Sequence, residues 1–398
     1  MKRVCIIGGG AAGCFCAIHL KRQAEETEVH LFEAHQKLLA KVAITGGGRC
    51  NLTNSFALIR SLQEAYPRGE RVMQRALKAF SPQDTQDWFS AEGLPLVLQE
   101  DQCIFPASQR ALDVVRLLEK DLGEAGVTVH TDCKVERIEP GFRVFHSGGE
   151  IRADALVVTT GGLSRKGAGD FLSPLALEMV PPVPSLFTFT VADEGLRALA
   201  GAVVQASLAI PGTSFKASGP LLVTDWGLSG PATLKLSSYA ARYLAEHDYQ
   251  APLCIQWMEE SPFRLYLERM RTEHPRKLVT SVAPHPLPQR LWAFLCERAG
   301  LRPGLCWGEM GDKGRNRLTS RLVSDNYTIA GKSRFREEFV TCGGVALSNI
   351  NLSTLECKKH PGLYFAGEVL DIDAITGGFN LQAAWSTGYL AALSIAAK

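Results

Sequence analysis

Residues 4–13 read Val4-Cys5-Ile6-Ile7-Gly8-Gly9-Gly10-Ala11-Ala12-Gly13. A run that is apolar at every position reads as a strand buried on both faces. It ends in a G-x-G-x-x-G pattern. Ala11 to Gln23 is compatible with a helix, and Glu28-Val29-His30-Leu31-Phe32-Glu33 reads as a second strand ending in an acid. Strand, glycine turn, helix, strand and acid make up the opening of a dinucleotide-binding fold. Gly8 suits the tight turn, Gly10 the close approach of backbone to a pyrophosphate, and Gly13 the packing of helix on strand. Ala11 and Ala12 open the helix, whose free N–H groups and positive dipole end face the phosphates. Glu33 stands 25 residues after Gly8, where an acid reaches the ribose hydroxyls. Cys14 and Cys16 point to different sides of the helix and read as packing residues.

The spacing alone admits FAD or NAD. Three later stretches favour FAD. Lys134 to Ile138, with Val135 near the cofactor, is a short alternating strand followed by Arg143-Val144-Phe145. Ala155-Leu156-Val157-Val158 is a buried strand ending in Thr159-Thr160-Gly161-Gly162. Leu363-Tyr364-Phe365-Ala366-Gly367-Glu368 is a late strand ending in Gly-Glu. A flavoprotein whose sheet is completed late in the chain needs such a strand, and Glu368 would face the ribitol. From Asp371 the chain runs to Gly377-Gly378-Phe379-Asn380-Leu381-Gln382, a glycine-led helix start. That N-terminus suits an anionic reduced flavin.

One five-residue segment occurs twice: Ala43-Ile44-Thr45-Gly46-Gly47 and Ala374-Ile375-Thr376-Gly377-Gly378. Ordering so much glycine is costly. Both segments are expected to bring bare backbone to one flavin from two sides. The first continues through Gly48 to Arg49-Cys50-Asn51, the catalytic candidates. Arg49 pairs with flavin or substrate, or forms a salt bridge that orders the loop. Cys50 touches the flavin or is packing, and Asn51 and Asn380 bind the cofactor or order its loops.

Gly46 to Asn54, Gly-Gly-Gly-Arg-Cys-Asn-Leu-Thr-Asn, resembles a signature of the BaiN/YhiN-like flavoproteins. Tyr364 to Asp371, Thr376 to Gln382 and Thr224 to Pro231 are similar to further motifs of that family, in the family's order along nearly the whole chain. The resemblance implies an α/β fold: a Rossmann-like FAD-binding domain, split in sequence, with an inserted β-barrel plus helical domain. It implies oxidation of aminoacetone-like amines with oxygen, or flavin-dependent reduction in bile-acid metabolism. The implied cofactor contacts are Gly8, Gly10, Ala11, Ala12, Gly13, Glu33, Gly47, Gly48, Arg49, Cys50, Asn51, Val135, Thr160, Gly161, Gly162, Gly367, Glu368, Asp371, Gly378, Asn380, Leu381 and Gln382. The chain departs from the family pattern at Ser164–Asp170 and at Cys342, which bears on substrate more than on flavin.

Pro181-Pro182-Val183-Pro184 marks a boundary. The expected organisation is 1–185 for the first part of the FAD domain, 186–341 for the insert and 342–398 for the second part. Within the insert, 186–258 and 322–341 form the barrel from short strands, and 259–321 is helical. The 398 residues include 11 cysteines without a Cys-x-x-Cys pair, which suits a reducing cytoplasm and opposes a disulfide framework or a metal cluster. Glycines interrupt the one signal-like run after Lys2 and Arg3, and no apolar stretch is long enough for a membrane span. Net charge is +2, but 259–336 holds 15 Lys and Arg against 8 Asp and Glu, which leaves −5 elsewhere. That asymmetry serves an anionic substrate, NADPH phosphate or RNA, or is a solvated face.

The leading expectation is an FAD-dependent oxidoreductase acting on a small molecule, an amine oxidised with oxygen. The first alternative is a reductase of an unsaturated or ketone substrate, with NAD(P)H as a transient donor. The second is an RNA-binding, tRNA-modifying flavoprotein; a nucleic-acid partner ranks below a small molecule, and oligomeric state is left open.

Overall fold

A computed structural model describes residues 1–165, 167–332 and 340–398. Lys166, within the departing Ser164–Asp170 stretch, and residues 333–339, in the second expected barrel segment, lie outside the described residues. The chain forms two compact units. One comprises Met1–Val183 with Val340–Lys398, and the other begins at Pro184.

The first unit is built on a parallel sheet. Its elements are β1 (Arg3–Ile7), α1 (Ala11–Gln23), β2 (Glu28–Phe32), α2 (Ala40–Gly48), β3 (Thr128–His130), β4 (Ala155–Val158), β5 (Leu363–Phe365) and α3 (Phe379–Ala396). The strand order is β5-β4-β1-β2-β3, with all neighbours parallel. Val4, Cys5 and Ile6 are fully buried, as strands covered on both faces must be. β2 lies on one side of β1 and β4 on the other, so the order reverses there. Open α/β sheets bind ligands at such a switch point. On one face α1 packs along α3, close enough that a Cβ on Gly388 would sit 2.6 Å from the Ala12 carbonyl oxygen. Phe15 and Trp385 fill the seam with ring centroids 5.3 Å apart. A small antiparallel sheet of Thr53–Asn54, Cys103–Pro106 and Leu96–Leu98 completes the part that concerns the site.

The second unit holds a closed six-stranded barrel. Around it run Phe189–Val191, Gly227–Ser229, Lys216–Thr224, Val203–Ala209, Ala251–Gln256 and Asp325–Lys332. Phe189, Leu208, Leu221, Leu228, Leu253, Ile255 and Ile329 are fully buried. Helices Glu260–Glu273, Gln289–Arg298 and Asp312–Val323 follow the strand Ala251–Gln256. The sequence reading of 186–258 as strands is corrected at three places: Glu194–Arg197, Pro231–Tyr239 and Ala241–Glu246 are helical. Gly230, at φ 88°, turns the chain and Pro231 occupies the first helical turn. Ala232, Leu236, Ala240 and Leu244 are all fully buried, and their spacing of four is a helical stripe.

Candidate active site

The site is assembled where β1, β4 and β5 end. Gly8 sits at φ +110°, where a Cβ would also press within 2.5 Å of the Thr159 carbonyl oxygen. A Cβ on Gly13 would overlap the Gly8 carbonyl oxygen, whereas one on Gly10 would meet nothing within 4 Å. Gly10 also begins α1 without a side-chain cap, so the helix end stays open to an anion. Glu33 accepts from the N–H of Gly9 at 2.9 Å and from that of His35 at 3.0 Å. Its carboxylate is thereby fixed beside the glycine turn.

Opposite, Gly161 has φ +75° and lies beside Glu368. The Glu368 carboxylate accepts from the N–H of Thr341 at 2.8 Å and pairs with Lys41 Nζ at 2.9 Å. Lys41, Thr341 and this pairing were not read from the sequence.

The second repeated segment packs against residues 51–54, which follow the first. α2 is broken at Thr45, after which Gly46 and Gly47 are left-handed. Gly47, Gly48 and Arg49 are exposed. Beyond them, Asn54 Nδ2 donates to Gly377 O at 3.0 Å. In the amide orientation that satisfies both ends, Asn51 donates to Thr53 O at 3.0 Å and accepts from Gly378 N at 3.2 Å. A side chain on Gly378 would overlap the Thr53 carbonyl, so bare backbone is required because loop packs on loop. Asn380 braces the second segment, accepting from Ala374 N at 3.0 Å and donating to Ala374 O at 3.0 Å. The Gln382 amide is taken by Thr53, by Thr85 at 2.9 Å and by Ser386 at 2.9 Å. Leu381 is half-buried on α3, Val135 is buried at the start of the strand Val135–Glu139, and the Asp371 N–H donates to Val345 O at 3.0 Å.

Arg49 donates from Nε to Gly46 O at 3.2 Å. Its guanidinium carbon lies 4.7 Å from the centre of the Phe105 ring. The expected salt bridge is not what orders the loop: among the described residues Arg49 holds it through a carbonyl and an aromatic face, an arrangement suited to a planar cation. Cys50 is fully buried, and burial pushes its thiol up to about 12, so it stays protonated at neutral pH. Behind the second segment, Arg68 and Asp373 form a two-pronged ion pair, with Nε to Oδ1 at 2.6 Å. Asp373 is fully buried and the Arg68 side chain 12% exposed. Sequence reading missed this pair; its one local signal is the Pro67-Arg68-Gly69 turn.

The model of the HI0933-like protein Rossmann domain matches residues 2–394. This chain belongs to the HI0933-like family. HI0933-like membership makes it an FAD-dependent oxidoreductase. It is 31% identical, over 99% of its length and 98% of the relative's, to a ribosomal RNA dihydrouridine synthase of Escherichia coli strain K12. It is 29% identical, over 100% of both chains, to a 3-dehydro-bile acid delta(4,6)-reductase of Clostridium scindens. Among solved structures, a 3-ketosteroid delta1-dehydrogenase of Sterolibacterium denitrificans matches 100% of both chains with a TM-score of 0.52 at 12% identity. A quinol fumarate reductase of E. coli matches 100% of this chain and 71% of its own, with a TM-score of 0.52 at 15% identity. These structural likenesses concern the fold. Among the described residues no helix is long and apolar enough to cross a membrane.

The residues present fit FAD. Gly10 leaves the space a pyrophosphate needs, and both α1 and α3 begin without a side-chain cap. FAD supplies the two-electron chemistry, while the chain supplies binding, orientation and electrostatics.

Proposed function

We propose that this enzyme reduces a carbon–carbon double bond conjugated to a carbonyl, with NADPH as the electron donor. One observation carries the reading. The chain is about equally similar, end to end, to relatives named for two very different substrates. A delta(4,6)-unsaturated 3-keto steroid acid and a uracil ring share one reducible feature, a C=C bond conjugated to C=O. Adding a hydride and a proton saturates it, and negative charge develops on the carbonyl oxygen as the hydride arrives. Arg49 suits that charge, as an exposed cation held on a fixed platform at the glycine turn. Amine oxidation, the leading expectation from sequence, finds no counterpart in those names.

A second reading narrows the substrate to RNA. Its support is in the basic segment, where Arg271, Arg276, Lys277 and Lys313 are exposed and make no ion pair among the described residues. A phosphate backbone recruits such cations.

The test is anaerobic flavin spectroscopy. The enzyme is reduced with NADPH, then mixed with a 4-en-3-one steroid acid or a uridine-containing RNA transcript. Reoxidation of the flavin by either supports the reading, and the one that works names the class. Bleaching of the oxidised flavin by aminoacetone, with no reoxidation by either conjugated substrate, would overturn it.

A further inference from the structure

We propose that Lys41 is the cation that holds the diphosphate of FAD, and that Glu368 parks it over the groove. The inference concerns the cofactor and stands whichever substrate is reduced.

A diphosphate brings two negative charges. The turn from Gly8 to Gly13 carries no cationic side chain, and α1 has no charged residue in its first turn at Ala11, Ala12 and Gly13. A helix end alone offers only about half an elementary charge. Lys41 is placed to supply the rest. The N–H of Leu39 donates to Gly9 O at 2.8 Å, which fastens the start of α2 to the glycine turn. The Leu38 side chain also lies so close to Gly9 that a Cβ there would overlap it. Two residues on, Lys41 reaches across the ends of the strands. Its Nζ lies 2.9 Å from Glu368 Oε2, and 4.0 Å from where a Cβ of Gly161 would be. One side chain therefore connects the glycine turn after β1, the Gly161 turn after β4 and the acid after β5. Those turns border the switch point, where the sheet binds its ligand.

The Lys41–Glu368 pair is easily exchanged. The Lys41 side chain is 67% exposed, and exposed pairs contribute little. A diphosphate is a stronger partner for an ammonium than a single carboxylate is. Glu368 stays in place through the Thr341 N–H at 2.8 Å, so it can return Lys41 to its resting position when the groove empties.

The experiment uses the full chain stripped of flavin, with three ligands titrated separately by calorimetry or flavin fluorescence. FAD has the diphosphate and the ring system, ADP has the diphosphate without the isoalloxazine, and riboflavin has the isoalloxazine without phosphate. Lys41→Met is expected to weaken ADP and FAD each by tenfold or more and to leave riboflavin unchanged. The salt dependence of ADP binding falls with it. Lys41→Arg restores most of the affinity, which excludes misfolding as the cause. Glu368→Gln does not weaken ADP. The proposal is overturned if Lys41→Met binds ADP as the parent does, or if riboflavin and FAD weaken while ADP does not. Failure of the unmodified chain to bind FAD at all would instead sink the cofactor assignment, and it is read before any variant is made.

Discussion

Gly10 and Gly13 stand three residues apart in one motif and fail in opposite ways. A methyl group on Gly13 overlaps the Gly8 carbonyl, whereas on Gly10 it meets nothing. Gly13→Ala is therefore expected to cost about 2–4 kcal/mol of stability in urea unfolding, as overpacking against backbone does. Gly10→Ala should unfold within about 0.5 kcal/mol of the parent yet lose FAD affinity. Equal stability loss in both would refute the assignment of roles. His19 supplies a pH test. Its ring is caged by Phe15, Phe80, Trp88 and Tyr389, and burial lowers its pKa from 6.5 to about 3. The unfolded chain takes up that proton below about pH 6.5, and the folded chain does not until about 3. The contribution is thus whole above 6.5 and lost as pH falls through this window. Between pH 7 and 5 the loss should approach about 2 kcal/mol. His19→Phe, which cannot titrate, should flatten the unfolding midpoint over that range.

The clamp between residues 51–54 and the second glycine segment belongs to the scale of elements. It joins the approach to Thr53–Asn54 with the start of α3, through residues whose partners are far away in sequence. Asn54 and Gly377 are separated by 323 positions, Arg68 and Asp373 by 305. This explains what could be read beforehand. The β1–α1–β2 unit was legible because each of its parts is local and each glycine answers a local constraint. The return at Gly367-Glu368 was legible as a pattern, but Lys41 as its partner was not, because no local rule pairs residues 327 apart. The missed helix at Pro231 had a local signal in its buried spacing of four, which lost to the strand-like flanks. Two substitutions test the clamp. Gly378→Ala forces a Cβ into the Thr53 carbonyl at φ +89°, with an expected cost of at least roughly 2 kcal/mol and loss of bound flavin. Arg68→Ala removes the two-pronged ion pair to a fully buried carboxylate and should cost about 3–5 kcal/mol. Thermal unfolding with flavin release as a second signal checks both, and a parent-like melting curve for either would mean the loops do not depend on the clamp.

At the scale of the whole molecule, charge is divided unevenly along a chain whose total is only +2, with +7 in 259–336 and −5 elsewhere. Composition shows that imbalance but not which cations are already used. Arg264 pairs with Glu260, Arg298 with Asp193 and Asp325, Arg302 with Glu309, and Arg315 with Glu268 and Asp312. Arg321 reaches Asp325. These pairs engage five of the segment's 15 cations, one of them partly through Asp193 outside it. The exposed Arg271, Arg276, Lys277 and Lys313 are what the RNA reading rests on. If they meet phosphates, each contributes close to one unit to the slope of log affinity against log salt. Replacing all four with Ala should then flatten that slope by about 3 and weaken RNA binding near physiological salt, while FAD content and NADPH reduction stay as in the parent. They sit on helices Glu260–Glu273 and Asp312–Val323 and the turn after the first, so their loss removes charge without touching the buried core. A filter-binding titration from low to high salt decides it. An unchanged slope would remove RNA and leave a small conjugated carbonyl compound as the substrate.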